Sequence, residues 1–74
     1  MRQVILNVPD ISCEHCEHTV ISTLSPVEGV ERVQVDIPGK QVEVTYDESK
    51  VDVDRMEALL EEEEYPVESA RVLP

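Results

Sequence analysis

Cys13 and Cys16 stand three residues apart, with Glu14 and His15 between them. Two thiols at that spacing can wrap around one ion or close on each other. As a staple the pair would be poor, because the loop it closes is tiny. In a reducing compartment a lone C-x-x-C is more often a metal or redox site. Thiolates are soft donors that select Cu(I), Zn(II) and other thiophilic ions. Two sulfurs satisfy a linear Cu(I) but leave Zn(II) two short of its usual four donors. A thiol–disulfide oxidoreductase is the rival chemistry, since a C-x-x-C at a helix start suits it. Asp10, Glu14 and Glu17 work against that reading, because their like charge disfavours a free thiolate.

Other side chains carry weaker signals. His15 lies between the cysteines and reads as an exposed residue that shapes the loop, with a third metal ligand as the alternative. His18 comes three residues later, roughly on the same side of a helix, and reads as a surface residue. Tyr65 can cap the end of a sheet with its apolar ring.

The elements that must position these groups follow from periodicity. A β-branched run closed by Pro9 predicts a central strand over 2–8. A loop over 9–13 leads to a helix over 14–25, in which Cys16, Val20 and Leu24 share a face. Ser12 suits its N-cap, and Glu14 and Glu17 fall where the helix dipole favours acids. Pro26 and Gly29 end that helix. Residues 30–37 and 41–46 alternate apolar and polar, with Val33, Val35 and Ile37 on the dry face of the first strand and Val42, Val44 and Tyr46 on the dry face of the second. Pro38-Gly39-Lys40 is the hairpin turn between them. A second helix is predicted over 52–64, with Val53, Met56, Leu59 and Leu60 as its stripe. Residues 66–73 form a last strand, an edge because it starts with proline.

The order β-α-β-β-α-β is the split βαβ, or ferredoxin-like, arrangement: an α+β sandwich with both helices on one face of a four-stranded antiparallel sheet and a polar outer face. It lacks the parallel βαβ context of thioredoxins, which further weakens the redox reading.

Seventy-four residues make one domain, 1–74, with an aliphatic core because Trp and Phe are absent. Seventeen acids against six bases give a net charge of −11. Nucleic acid needs a basic face, and anionic membrane surfaces would repel such a chain; cations and cationic partners suit it. No stretch approaches the ~18 apolar residues of a membrane span, and the N-terminal apolar run is too short for a secretory signal, so a cytoplasmic location is expected. The run Glu61-Glu62-Glu63-Glu64 opposes the dipole of the helix it ends and reads as a solvated face, with docking as the alternative.

The segment from Asn7 to Cys16 resembles the G-M-T-C-x-x-C loop of heavy-metal-associated domains. Residues Val27 to Val33 are similar to that family's P-G-V-x-x-V segment, and Glu62 to Tyr65 to its E-x-x-G-Y segment. The resemblance implies that Cys13 and Cys16 are metal ligands and that Tyr65 leans toward the metal loop. It also implies a small copper chaperone that passes Cu(I) by ligand exchange to a metal-transporting P-type ATPase or a similar metal-binding domain. The alternatives are a Zn(II), Cd(II) or Hg(II) binder, or a domain cut from such an ATPase with a regulatory role. A monomer is expected without metal, and a metal-bridged dimer is an alternative state when loaded. Three positions depart from the pattern. Ile11 replaces a methionine that packs under the loop, Asp10 replaces a glycine, and Glu64 replaces the glycine before Tyr65, which implies strain or a different helix ending.

Overall fold

Val4 and Leu6 on one strand, and Val42 and Val44 on its neighbour, are fully buried and share one core with Val20, Leu24, Met56 and Leu60 from two helices. The alternation of the strands and the i, i+4 spacing of the helices dictate that meeting. In the computed structural model, which describes residues 1–12 and 14–73, the elements are β1 (Arg2–Asn7), α1 (Glu14–Leu24), β2 (Val30–Asp36), β3 (Gln41–Tyr46), α2 (Val53–Glu62) and β4 (Ser69–Leu73). The strand order is β2-β3-β1-β4 and every pairing is antiparallel. β1 is therefore central and β4 an edge, as expected from the sequence. The expected α+β, ferredoxin-like βαββαβ architecture is the observed one.

The boundaries shift for local reasons. Asp52 is the N-cap of α2 rather than its first residue, its carboxylate accepting from the Arg55 N–H at 2.8 Å. α2 ends at Glu62 rather than Glu64, and β4 starts at Ser69 rather than at Pro66. α1 stops at Leu24, one residue before the expected end. Gly29 serves not as its cap but in the turn into β2. There its φ of 99° brings the backbone against Lys50 and Val51, where a Cβ would stand 2.8 Å from Lys50 Cβ. The register of β2 shifts between Val30 and Arg32, so Val30 pairs with Tyr46 while Arg32 pairs with Thr45. This bulge at Glu31 lets Val30 and Val33, three residues apart, both pack on the core.

The outer sheet face carries Glu43, Thr45, Arg32, Gln34 and Arg71, as the polar expectation requires. Ile5, placed between Glu43 and Arg71 by the pairing, and Leu73, paired with Gln3, are half-buried apolar exceptions. The core is aliphatic except for Tyr46, 3 % exposed, and Cys16, 8 % exposed. Each fully buried Val, Leu, Ile or Met contributes roughly 1.5–3 kcal/mol relative to exposure.

The candidate metal loop

Antiparallel pairing puts three chain segments at one end of the sheet. β1 ends at Asn7, opposite Gln41 where β3 begins and Ser69 where β4 begins. The segment following β1, the β2–β3 hairpin and the α2–β4 connection therefore lie together. The Glu68 N–H closes the group by donating to the Asn7 carbonyl at 2.8 Å.

The segment after β1 is a tight turn. The Ile11 N–H donates to the Val8 carbonyl at 3.2 Å, with Pro9 and Asp10 in the central positions. Proline there presets the backbone. Among the described residues the positive-φ residues other than glycine are Lys40 and Glu64, so Asp10 occupies an ordinary backbone region and the turn does not need a glycine at that position. Ile11 is fully buried in the core cluster and anchors the loop from beneath, as expected for the residue in place of methionine.

Cys16 lies in the first turn of α1 and is 8 % exposed. Its thiol is directed at the Asp10 carbonyl, with Sγ 4.0 Å from the oxygen. The sulfur thus sits under the turn rather than on the outer surface of the helix. The start of α1 offers amide N–H groups and the positive end of the dipole to a thiolate. Cys13, the other expected ligand, lies outside the described residues.

His15 is exposed, and its carbonyl accepts from Thr19 Oγ1 at 3.0 Å. His18 is also exposed and lines a groove between the helices with Leu59, Glu62 and Glu63. The two histidines therefore have different surroundings despite their spacing. Among the described residues, no three His, Cys, Asp or Glu side chains converge as a metal cluster.

Tyr65 is half-buried against the core, consistent with a ring that caps the end of the sheet. A Schellman motif holds its backbone: the Tyr65 N–H donates to the Leu60 carbonyl at 2.9 Å and the Glu64 N–H to the Glu61 carbonyl at 3.0 Å. Glu64 takes the left-handed position, φ 67°, that glycine usually fills. The strain expected from this substitution is therefore present and the helix still ends in the usual way. Glu61, Glu62, Glu63 and Glu64 are all exposed, with the last two beyond the helix.

In the sequence, Lys40 belongs only to the hairpin turn. The structure brings its ammonium to the metal loop, with Nζ donating to the Ile11 carbonyl at 3.2 Å. The antiparallel register was the available signal, since it fixes the hairpin at the loop's end of the sheet.

No helix among the described residues is long and apolar enough to cross a membrane. The chain is 43% identical over 67 residues to a protein of Staphylococcus aureus (strain bovine RF122 / ET3-1) named copper chaperone CopZ, covering 90% of this chain and 98% of that one. A solved structure titled CopZ metallochaperone superposes with a TM-score of 0.85 at 43% identity, covering 88% of this chain and 97% of that one. A further neighbour is the solution structure of the Atx1-Cu(I)-Ccc2a complex, with a TM-score of 0.80 at 26% identity, covering 100% of this chain and 97% of that one. The model of the heavy-metal-associated domain matches residues 5–66, and with the identity to CopZ over nearly the whole chain it shows that this protein belongs to the heavy-metal-associated domain family.

Proposed function

We propose that residues 1–74 form a single domain that binds one Cu(I) through Cys13 and Cys16. It hands the ion by ligand exchange to a similar metal-binding domain of a P-type metal-transporting ATPase in the cytoplasm. The observation that carries this reading is the 43% identity to a copper chaperone along almost its full length. Likeness to a complex whose title names Cu(I) between two proteins supports the handover. Two thiolates suffice for Cu(I), whereas Zn(II) takes four donors.

The exchange follows from ligand count. A two-coordinate Cu(I) has open sides. An incoming thiolate from the partner forms a third Cu–S bond, and one of the original Cu–S bonds then breaks. The released sulfur takes up a proton, and the copper keeps its oxidation state. With Cys16 sheltered beneath the Pro9-Asp10 turn, the partner approaches from the side away from Cys16. The protein acts as a carrier, not a catalyst of covalent chemistry. It is a monomer without metal.

Anaerobic titration with Cu(I) against a competing chelator tests the assignment. Cys13→Ser and Cys16→Ser should each weaken binding by orders of magnitude while leaving far-UV circular dichroism unchanged. Wild-type affinity in either variant overturns it.

A further inference from the structure

Lys40 occupies a backbone position that lysine does not favour. The hairpin from Asp36 to Gln41 turns through Ile37-Pro38-Gly39-Lys40, closed by the Lys40 N–H donating to the Ile37 carbonyl at 3.1 Å. The last residue of such a loop must be left-handed, and Lys40 is, with φ 54°. Glycine would take this position without strain. The side chain that occupies it instead reaches across to a different element, where Nζ donates to the Ile11 carbonyl at 3.2 Å. The backbone of the same residue accepts from the Val8 N–H at 2.9 Å. One residue thus pins both ends of the Val8-to-Ile11 turn, the turn whose Asp10 carbonyl meets the Cys16 thiol.

Charge gives this contact its significance. Two thiolates with one Cu(I) carry one net negative charge, and Asp10, Glu14 and Glu17 flank them in sequence. The other five bases are placed elsewhere. Arg2 pairs with Glu48, Lys50 and Arg55 line a groove with Pro26 and Val27, and the pairing sets Arg32 and Arg71 on the outer sheet face.

Resting on the Cu(I)-carrier reading above, we infer that Lys40 is a positioning residue of the metal loop. Its ammonium holds the Val8-to-Ile11 turn in the binding geometry and offsets the negative charge of the loaded site.

The test uses the full chain as wild type, Lys40→Gly, Lys40→Met and Lys40→Arg. Thermal midpoints come first. Lys40→Gly should melt at or above the wild-type temperature, because it relieves the left-handed strain. Its Cu(I) affinity, measured against a chelator, should nevertheless fall about tenfold, at the low end of losses seen for groups that support metal ligands. Lys40→Met should show the same loss and Lys40→Arg should recover most of it. The gap between wild type and Lys40→Met should narrow as salt rises from about 0.01 to about 0.15 M, since a charge contribution is screened and a packing contribution is not. Metal-free amide exchange at Ile11 should speed up in Lys40→Gly and Lys40→Met. If wild type binds Cu(I) and both neutral variants match it, the inference is overturned and the carrier reading stands. If wild type binds no Cu(I), the carrier reading fails, and unchanged Ile11 exchange in the neutral variants would then overturn the positioning role as well.

Discussion

The Tyr65 N–H reaches back over a left-handed Glu64 to the Leu60 carbonyl, at 2.9 Å. This bond ends α2 and starts the connection that returns to the metal-loop end of the sheet. A Cβ in the left-handed region costs roughly 1–2 kcal/mol. Glycine removes that cost but adds conformational freedom to the unfolded chain, worth about 0.4–1 kcal/mol in the opposite direction. Glu64→Gly should therefore stabilise the fold by about 0.5–1 kcal/mol, a rise of several degrees for a domain this small. Differential scanning calorimetry at fixed pH checks it, and a lower midpoint would show that the Glu64 side chain makes a compensating contribution.

The opposite change is expected at Gly29. Its φ is 99°, and an added Cβ would lie 2.8 Å from Lys50 Cβ and 3.0 Å from Val51 Cγ1. Val51 is itself core, 7 % exposed, so it cannot move aside freely. Gly29→Ala combines strain and overpacking and should destabilise by about 2 kcal/mol or more. Gly39→Ala is the control: there the nearest atom is Asp36 Oδ2 at 2.7 Å, the end of an exposed side chain that can swing away. Urea denaturation of both variants should separate them clearly. Equal losses would mean that the Gly29 contact relaxes more easily than its geometry suggests.

These positions mark where sequence reading succeeded and where it stopped. Alternation in Val42-Glu43-Val44-Thr45-Tyr46 specifies a half-wet strand, because each side chain alternates faces. The spacing of Cys16, Val20 and Leu24 likewise foretold the buried stripe of α1. The bulge at Glu31 was hidden, since it interrupts period two at one residue where Glu and Arg both tolerate solvent. The Schellman end of α2 was hidden because Glu is a good helix former and nothing local says that Glu64 turns left-handed. In the site, the strand–loop–helix junction at Cys16 was legible from short-range pattern. The Lys40–Ile11 contact was not, because it spans 29 residues and depends on the sheet register.

Acid should loosen the β3–α2 connection. The hydroxyl and N–H of Ser49 both donate to Asp47 Oδ1, at 2.7 and 3.0 Å, and hold that carboxyl below the usual carboxylate range. The unfolded chain lacks these bonds, so its Asp47 keeps the higher, ordinary value. The contribution is then fully present above that ordinary value and fades as pH falls through the lower folded one. Carboxyl carbon shifts followed by NMR should show Asp47 titrating at lower pH than a free aspartate, and Ser49→Ala should move it back up. An Asp47 titration unchanged by Ser49→Ala would remove the hydroxyl as the main cause.

Association should depend on salt. With a net charge of −11, productive encounter requires a partner face rich in Lys and Arg, or one far less acidic. The Debye length shrinks from about 30 Å at 0.01 M to about 8 Å at 0.15 M. The association rate with a cognate metal-binding domain should fall across that range, while copper-bridged self-association should rise as repulsion between two acidic chains is screened. Stopped-flow mixing and analytical ultracentrifugation measure the two, and a flat on-rate would rule out steering by the acidic surface.

His15 separates the metals. Its side chain is exposed at the start of α1, next in sequence to Cys16. Cu(I) is satisfied by two thiolates, so an imidazole adds little to its binding. Zn(II) seeks four donors, and a neighbouring imidazole is its natural third. His15→Ala should change Cu(I) affinity by less than about tenfold, or roughly 1.4 kcal/mol. For Zn(II) the loss should be larger, about 10- to 100-fold, a floor taken from the losses seen when groups supporting metal ligands are removed. His18→Ala is the matched control, because His18 lines the groove with Glu62 and Glu63; it should leave both affinities near wild type. Competition titrations with both metals on the three proteins decide the matter. Loss of Cu(I) binding in His15→Ala would mean that the imidazole is a ligand, and the two-coordinate ion on which the exchange mechanism depends would have to be abandoned.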